Sequence, residues 1–215
     1  MNNDQDQAIV TGNFYDKKNT KNPIEKFLLT RFEKSLVQMA SAKPFHKVLE
    51  IGCGEGNNIP LIKHINPECY YVAADIDEKL LESALRQGAD EVFLIDPDKS
   101  SKKHLPYKEK TFDLILLIEV LEHLDDNTSD ETLAEAARLC SSRCIASVPY
   151  EPLWRMMNMV RLKYLPSFGN TPGHIRHFNR KTFRHLVSQE FTVEDLRIQL
   201  PWLMLSATIK IDQNK

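Results

Sequence analysis

The chain has 215 residues, a formal net charge of −2, 42% hydrophobic residues and 27% charged residues. This length suits one domain with a substantial core, and the composition is typical of a globular protein. The near-neutral charge excludes a bulk electrostatic attraction to nucleic acid or to an anionic membrane. The beginning of the chain, MNNDQDQAIV, lacks the layout of a signal peptide, so we expect a cytoplasmic protein without membrane insertion. The four cysteines lack the spacing of a metal site, and we expect buried free thiols.

The predicted elements begin with a helix from Pro23 to about Ala40, where apolar residues recur at helical spacing. We expect residues 1–44 to form an N-terminal helical cap. From residue 45 to residue 149, short apolar runs typical of buried strands alternate with helical segments. The predicted strands are 47–51, 70–74, 92–95, 112–118 and 143–148, and the predicted helices between them are 57–65, 78–87 and 129–139. This alternation predicts a parallel, doubly wound sheet.

The last third of the chain departs from the alternation. Residues 150–180 are predicted to be a lid or substrate insertion, because apolar side chains recur at helical spacing in a long connection after a strand. A helix packed on the sheet edge is the alternative. A helix over 181–188 and two strands over 191–199 and 203–210 follow, so residues 181–215 predict an antiparallel hairpin at one edge. We expect residues 1–215 to form one α/β domain with a mostly parallel, seven-stranded sheet.

The segment 47–56, KVLEIGCGEG, joins the first predicted strand to the start of a helix. Gly52, Gly54 and Gly56 permit positive φ and let a ligand approach the backbone closely. A strand-to-helix turn of this kind also directs N–H groups at whatever lies above it. Asp75 ends the second predicted strand, where an acidic residue is placed to accept hydrogen bonds from both ribose hydroxyls. The pattern predicts a nucleotide-type cofactor site in the 45–149 core. A tight turn with Asp75 as a helix cap is the alternative.

The glycine spacing G-x-G-x-G, preceded by Glu50, differs from the G-x-G-x-x-G of nicotinamide sites. It resembles the first motif of class I S-adenosylmethionine-dependent methyltransferases. The resemblance continues through three further stretches, ADID at 74–77, LPYKEKTFD at 105–113 and IEVLEHL at 118–124. It implies a Rossmann-like fold, S-adenosyl-L-methionine as the cofactor and a methyltransferase domain of the type 11/12 kind.

The resemblance also implies roles for residues around the cofactor. Asp75 would hold the ribose, and Ile76 would form one wall of the adenine pocket. Asp96 would accept a hydrogen bond from the adenine amino group, with Asp98 as a rival because the gap to the LPY motif is longer than usual. Glu50 is expected to organise the glycine loop or to face the sulfonium through water. The predicted cofactor-binding residues are Glu50, Gly52, Cys53, Gly54, Gly56, Asp75, Ile76, Asp96 and Glu119.

Glu119, Glu122 and His123 follow the fourth predicted strand, at the crevice where the methyl acceptor should lie. If this segment turns into a helix, Glu119 shares one face with Glu122 or His123, three and four residues on, and the two carboxylates and the imidazole form a candidate site for a divalent ion. The E-x-x-E-H pattern resembles the metal-binding stretch of small-RNA 3′-end ribose methyltransferases, in which a downstream histidine such as His174 or His177 completes the set. It is similar as well to ubiquinone-pathway O-methyltransferases. A scaffold role without metal is the alternative, and the main prediction includes no metal.

The acceptor side contains histidines and basic residues. His123, His174 and His177, in that order, are candidate general bases for a hydroxyl acceptor, since the pKa of histidine lies near neutrality. A basic cluster favours an anionic acceptor, with a solvated helix start as the alternative. The cluster consists of Arg176, Arg180, Lys181 and Arg184. We expect O- or N-methylation of a small or anionic acceptor. The other two hypotheses are metal-assisted 2′-O-methylation of RNA 3′ ends and a non-catalytic S-adenosylmethionine-binding module.

Overall fold

The computed structural model describes residues 22–96, 105–151 and 175–210. These residues form five α-helices, one 3₁₀ turn and seven strands. In chain order they are α1 (Pro23–Ala40), β1 (Lys47–Ile51), α2 (Ile59–Ile65), β2 (Tyr70–Asp75), α3 (Glu78–Arg86), β3 (Glu91–Leu94), β4 (Phe112–Ile118), the 3₁₀ turn (Leu121–His123), α4 (Asp126–Leu139), β5 (Cys140–Pro149), α5 (Arg180–Val187), β6 (Phe191–Gln199) and β7 (Trp202–Ile209).

The seven strands form one sheet in the order β3-β2-β1-β4-β5-β7-β6. Neighbouring strands among β1 to β5 pair in parallel, whereas β7 is antiparallel to both β5 and β6. The predicted fold class, a mostly parallel seven-stranded sheet with an antiparallel C-terminal hairpin, is therefore confirmed. Residues 152–174 of the predicted 150–180 lid and residues 1–21 of the predicted 1–44 cap lie outside the described residues.

Helices cover both faces of the sheet, which explains why the parallel strands are apolar on both sides. Side chains of one face, such as Leu49 and Val72, pack in one cluster with residues of α4 and α5. Side chains of the other face, such as Val48 and Tyr71, pack with α1, α2 and α3. The four cysteines are buried free thiols, as predicted. None of the helices in the described ranges is long and apolar enough to cross a membrane.

Helix α4 and strand β5 each begin three residues earlier than predicted. Helix α4 begins at Asp126, three residues earlier than predicted, since the side chain of Asp125 caps it by accepting from the Thr128 N–H at 2.8 Å. Strand β5 begins at Cys140, directly after this helix, and is therefore longer than the predicted 143–148. The start of β5 lies at the amino ends of the parallel strands, away from the candidate site, whereas α4 begins shortly after the carboxyl end of β4.

The strand order reverses direction between β1 and β4. The chain passes from β1 through β2 to β3 on one side, and β4 then pairs with the other side of β1. In open α/β sheets a ligand binds beyond the carboxyl ends of the strands at such a switch point. The residues that follow β1, β2 and β4 therefore border the expected crevice.

We expect Arg143→Ala to lower the free energy of unfolding by about 3–5 kcal/mol. The Arg143 side chain in β5 is 1% exposed, and its guanidinium donates to the carbonyls of Ala40 and Lys43 at 2.6 and 2.9 Å. It therefore ties the end of α1 and the following loop to the sheet. Urea denaturation would measure the loss, with Arg184→Ala as an exposed control expected to change stability by less than about 0.5 kcal/mol. Equal effects of the two substitutions would contradict this role.

Candidate active site

The three glycines of the loop after β1 all have positive φ, at 75°, 53° and 79° for Gly52, Gly54 and Gly56. A Cβ on Gly52 would lie 2.4 Å from Cγ2 of Val120, and a Cβ on Gly56 would lie 2.8 Å from Cα of Ala84. A Cβ on Gly54 would meet nothing within 4 Å. Two glycines therefore allow close packing within the protein, and only Gly54 presents its bare Cα to open space.

The N–H groups of this loop bond within the protein. Those of Gly52 and Cys53 donate to the carbonyl of Ala74 at 2.7 and 3.1 Å, and that of Gly56 donates to the carbonyl of Cys53 at 3.0 Å. That of Gly54 donates to Oδ2 of Asp75 at 2.7 Å. The expectation that the turn directs N–H groups at a ligand is therefore wrong for these four residues. The loop instead offers a ligand the uncovered backbone at Gly54.

Asp75 ends β2 and is 7% exposed. Besides the Gly54 contact, Oδ1 of Asp75 accepts from the N–H groups of Ile76 and Asp77 at 2.8 and 3.2 Å. Burial raises the pKa of this carboxyl, against the lowering effect of the three backbone hydrogen bonds. A carboxylate has about four lone-pair positions, so the remaining one lies on Oδ2. The three backbone hydrogen bonds fix the carboxylate and leave one acceptor position open.

Glu50 lies in β1 and is fully buried beneath the glycine loop. Its two carboxyl oxygens accept from Asn58 Nδ2 at 2.6 Å and from the Tyr71 hydroxyl at 2.7 Å. Burial raises its pKa to about 7; the two hydrogen bonds oppose this shift, and the charge of Asp75 adds to it. Glu50 thus joins the loop, through Asn58 just before α2, to β2. These contacts place it in the framework of the loop.

The raised pKa of Glu50 predicts that the stability of the protein depends on pH. The unfolded chain loses this proton near pH 4.5, whereas the folded protein holds it up to about pH 7. The folded state binds more protons in that window, so the stability of the wild type falls as the pH rises through it. We therefore compare the unfolding free energy of Glu50→Gln with that of the wild type. The variant value minus the wild-type value should increase by about 3 kcal/mol between pH 4.5 and pH 7. Urea denaturation at several pH values would measure this, with Glu55→Gln, exposed in the same loop, as control. A difference that stays constant with pH would contradict it.

The predicted adenine side lies at the ends of β2 and β3. Ile76 is an apolar side chain that is 45% exposed, as expected for the wall of a pocket that a ligand would cover. The Ile95 N–H donates to the Asp75 carbonyl at 2.8 Å, which brings the half-buried Asp96 to the neighbouring strand end. Asp98 lies outside the described residues. Cys53 is buried, burial raises the pKa of its thiol, and its Sγ contacts the Gly54 carbonyl at 3.5 Å.

The segment after β4 does not form the helix on which the metal hypothesis depended. Glu119 has a φ of 57°, and only a 3₁₀ turn, Leu121–His123, follows it. Glu119 and Glu122 are therefore not on one face of a helix, and that part of the metal hypothesis is wrong. Oε1 of Glu119 instead accepts from the indole Nε1 of Trp202 in β7 at 2.7 Å. Glu122 is 1% exposed, and His123 is half-buried.

Metal ligation finds no geometric support in the part of the chain that the structure describes. Within residues 22–96, 105–151 and 175–210, no group of three or more histidine, cysteine, aspartate or glutamate side chains is arranged to hold a metal ion. His174, a predicted further ligand and candidate base, lies outside these ranges.

The segment 175–178 is attached to the carboxyl ends of β4 and β5. The N–H groups of Ile175 and Arg176 donate to the Glu122 carbonyl at 3.0 and 3.2 Å. The N–H of Glu151 donates to the Phe178 carbonyl at 2.9 Å, next to a parallel bridge between residues 150 and 178. These bonds bring His177, a predicted base, to the end of β5. Of the three predicted bases, His177 lies in the segment that these hydrogen bonds hold beside the end of β5.

His177 has a buried carboxylate beside it. Its Nδ1 lies 3.8 Å from Oε1 of Glu151, whose side chain is 9% exposed, while the His177 side chain is 40% exposed. Sequence reasoning missed both Glu151 and Trp202. A signal for Glu151 existed, because it is an acidic residue that lies three positions after the fifth predicted strand.

The structure separates Arg176 from the other three residues of the predicted basic cluster. The Arg176 guanidinium contacts Asp126 at 3.1 Å and lies 5.1 Å from the centre of the Phe178 ring. Arg180, Lys181 and Arg184 are exposed on α5. Arg176 therefore has a structural contact, and the residues on α5 remain the candidates for binding an anion.

Comparison with known proteins agrees with this geometry. Residues 48–143 match a family described as a methyltransferase domain. The chain is 31% identical to the uncharacterized methyltransferase YodH of Bacillus subtilis, over 42% of this chain and 38% of the relative. It is also 31% identical to the ubiquinone biosynthesis O-methyltransferase of Mesorhizobium japonicum, over 48% of this chain and 45% of the relative. The chain thus spans less than half the length of these two relatives.

The fold is similar to the crystal structure of magnesium protoporphyrin IX methyltransferase from Synechocystis PCC 6803 with bound SAH (S-adenosylhomocysteine). The TM-score is 0.62 and the sequence identity 18%, over 89% of each chain. The sheet order and the glycine loop define a class I methyltransferase fold. Together with the family match over residues 48–143 and the methyltransferase relatives, they support a class I S-adenosylmethionine-dependent methyltransferase.

Proposed function

We propose that this protein transfers the methyl group of S-adenosylmethionine to an oxygen or nitrogen atom of a small or anionic acceptor. The observation that carries the proposal is the loop at Gly54, whose bare Cα faces open space while its N–H is bonded to Asp75. A ligand seated there would meet an uncovered backbone and a carboxylate with one open acceptor position. The open acceptor position suits a ribose hydroxyl, which would donate to it, and the exposed Ile76 suits an adenine face.

The residues expected to hold the cofactor are those predicted from the sequence. They are Glu50, Gly52, Cys53, Gly54, Gly56, Asp75, Ile76, Asp96 and Glu119. Glu50, Gly52 and Gly56 would act by shaping the loop, and Asp75 by accepting from the ribose. When bound, S-adenosylmethionine supplies an activated methyl group, so the protein contributes mainly orientation and exclusion of water.

For a hydroxyl acceptor, His177 would take the proton. Its Nδ1 lies beside the buried Glu151 carboxylate, an arrangement in which an acidic group orients an imidazole base. The acceptor proton would pass to Nε2, on the other side of the ring. His123 and His174 remain the further candidates. The exposed basic residues of α5 follow the 175–178 segment directly and support an anionic acceptor.

A small-molecule acceptor is supported by the named relative that acts in ubiquinone biosynthesis and by the near-neutral net charge. RNA is the second acceptor class, and it would require the divalent ion hypothesised at Glu119, Glu122 and His123. The four free cysteines support a cytoplasmic, reducing location.

A thermal-shift panel would test the cofactor. We expect S-adenosylmethionine and S-adenosylhomocysteine to raise the melting temperature, and NAD and NADP to leave it unchanged. Stabilisation by NAD alone would overturn the proposal. A screen of methyl transfer to small-molecule pools and to RNA, each with and without a chelator, would then separate the acceptor classes. Binding of the cofactor without any transfer would favour the non-catalytic module.

A further inference from the structure

Glu119 has an unusual backbone at the end of β4. Its φ of 57° lies in the left-handed region, which is unfavourable for a residue with a Cβ. The backbone is held in place there, because the Glu119 N–H donates to the Ser147 carbonyl at 3.0 Å. A non-glycine residue retained in this conformation beside a ligand crevice suggests that its side chain is needed in that direction.

Trp202 provides the partner that fixes the Glu119 side chain. Its indole Nε1 donates to Oε1 of Glu119 at 2.7 Å. The Trp202 side chain is 5% exposed, its ring centre lies 5.1 Å from that of Phe32 in α1, and its backbone is paired with Pro149 in β5. The donor is therefore a rigid, buried group on the antiparallel strand, and it orients the carboxylate without neutralising its charge.

The residue that follows Glu119 packs against the glycine loop. Val120, the next residue, is the one that a Cβ on Gly52 would meet at 2.4 Å. A carboxylate is only an acceptor, so the group it would bind is a cation or a hydrogen-bond donor. The methionine part of S-adenosylmethionine has two cationic groups, the α-ammonium and the sulfonium. The ammonium has three N–H donors and the sulfonium none, so a hydrogen-bonding carboxylate matches the ammonium.

We propose that Trp202 is a positioning residue, which orients the Glu119 carboxylate to bind the α-ammonium of the methyl donor. This inference rests on the proposed function, because it assumes that the cofactor is S-adenosylmethionine. It assigns a role in cofactor binding to the C-terminal antiparallel strand, which lies outside the matched methyltransferase domain at 48–143.

Two ligands that differ in the amino-acid part test the contact with Glu119. S-adenosylhomocysteine has the ammonium group, and 5′-methylthioadenosine lacks the amino-acid part. We expect Glu119→Gln to weaken S-adenosylhomocysteine binding about tenfold or more in calorimetry and to change methylthioadenosine binding less than about twofold. Glu55→Gln, which removes an exposed charge from the glycine loop after β1, is the control and should leave both affinities unchanged.

Trp202→Phe tests the positioning role, because it removes the N–H donor and keeps a smaller aromatic ring against Phe32. We expect it to weaken S-adenosylhomocysteine about three- to tenfold and to leave methylthioadenosine unchanged. In the Glu119→Gln background the same change should add less than about twofold, since Trp202 acts through Glu119. In a Trp154→Phe background Trp202 is the sole tryptophan. Its fluorescence should then respond to S-adenosylhomocysteine and not to methylthioadenosine.

The outcomes separate this inference from the proposed function. If the wild type binds neither S-adenosylmethionine nor S-adenosylhomocysteine, the proposed function fails. If the wild type binds both and Glu119→Gln weakens S-adenosylhomocysteine and methylthioadenosine equally, Glu119 is only structural and this inference fails alone. Weakening confined to S-adenosylmethionine would direct the carboxylate at the sulfonium and overturn the assignment to the ammonium.

Discussion

Replacing Gly56 or Gly52 with alanine should lower the free energy of unfolding by about 2–5 kcal/mol, whereas replacing Gly54 should lower it by only about 1–2 kcal/mol. All three positions carry the cost of an alanine at positive φ, roughly 1–2 kcal/mol. At Gly52 and Gly56 the added Cβ also meets Val120 at 2.4 Å and Ala84 at 2.8 Å, and such overpacking costs about 1–3 kcal/mol more. Urea denaturation of the three variants would measure the differences.

Cofactor affinity should follow a different order from stability. Gly54→Ala should remain folded yet bind S-adenosylhomocysteine at least about tenfold more weakly, because its Cβ enters the open space where we place the ligand. Unchanged affinity in this variant would show that the open side of Gly54 faces only solvent. That result would remove the observation on which the proposed function rests.

Asp75→Asn should reduce S-adenosylhomocysteine affinity about a hundredfold and lower the free energy of unfolding by about 2–3 kcal/mol. The carboxylate accepts three backbone hydrogen bonds, from Gly54, Ile76 and Asp77, and an amide would turn its NH₂ toward at least one of these N–H donors. The loop would lose the contact that orients Gly54, and the cofactor would lose its ribose acceptor. Calorimetry and urea denaturation would measure the two effects.

Asp77→Asn is the matched control for this prediction. Asp77 lies two residues further along, caps α3 by accepting from the Lys79 N–H at 2.9 Å, and would lose the same charge. Asparagine caps helices as well as aspartate does, so stability and affinity should both stay close to those of the wild type. Equal losses in the two variants would attribute the effect to charge alone and contradict the specific role of Asp75.

Most of the fold was predictable because its signals are local. Apolar runs, helical spacing and the change from alternation to a final hairpin are properties of neighbouring residues, and each predicted strand from 47–51 to 203–210 is present. The early start of α4 had a local signal as well, because Asp125 is a strong capping residue three positions before Thr128. The helix on which the metal hypothesis depended does not form at Glu119–His123, because strand pairing holds the Glu119 N–H on Ser147 of β5 and the backbone turns in the left-handed region instead.

The sequence by itself determined the class of the protein, since the glycine spacing, Asp75 and the order of the motifs are local features that indicate one cofactor type. The tertiary structure decided which glycine faces open space, which group binds each carboxylate and which residues meet at the strand ends. Glu50 is bonded to Tyr71, Glu119 to Trp202, and Glu151 lies beside His177. These partners come from different strands or from a distant segment. They meet only because the sheet order brings distant parts of the chain to the same edge, and that order is set by packing across the whole domain.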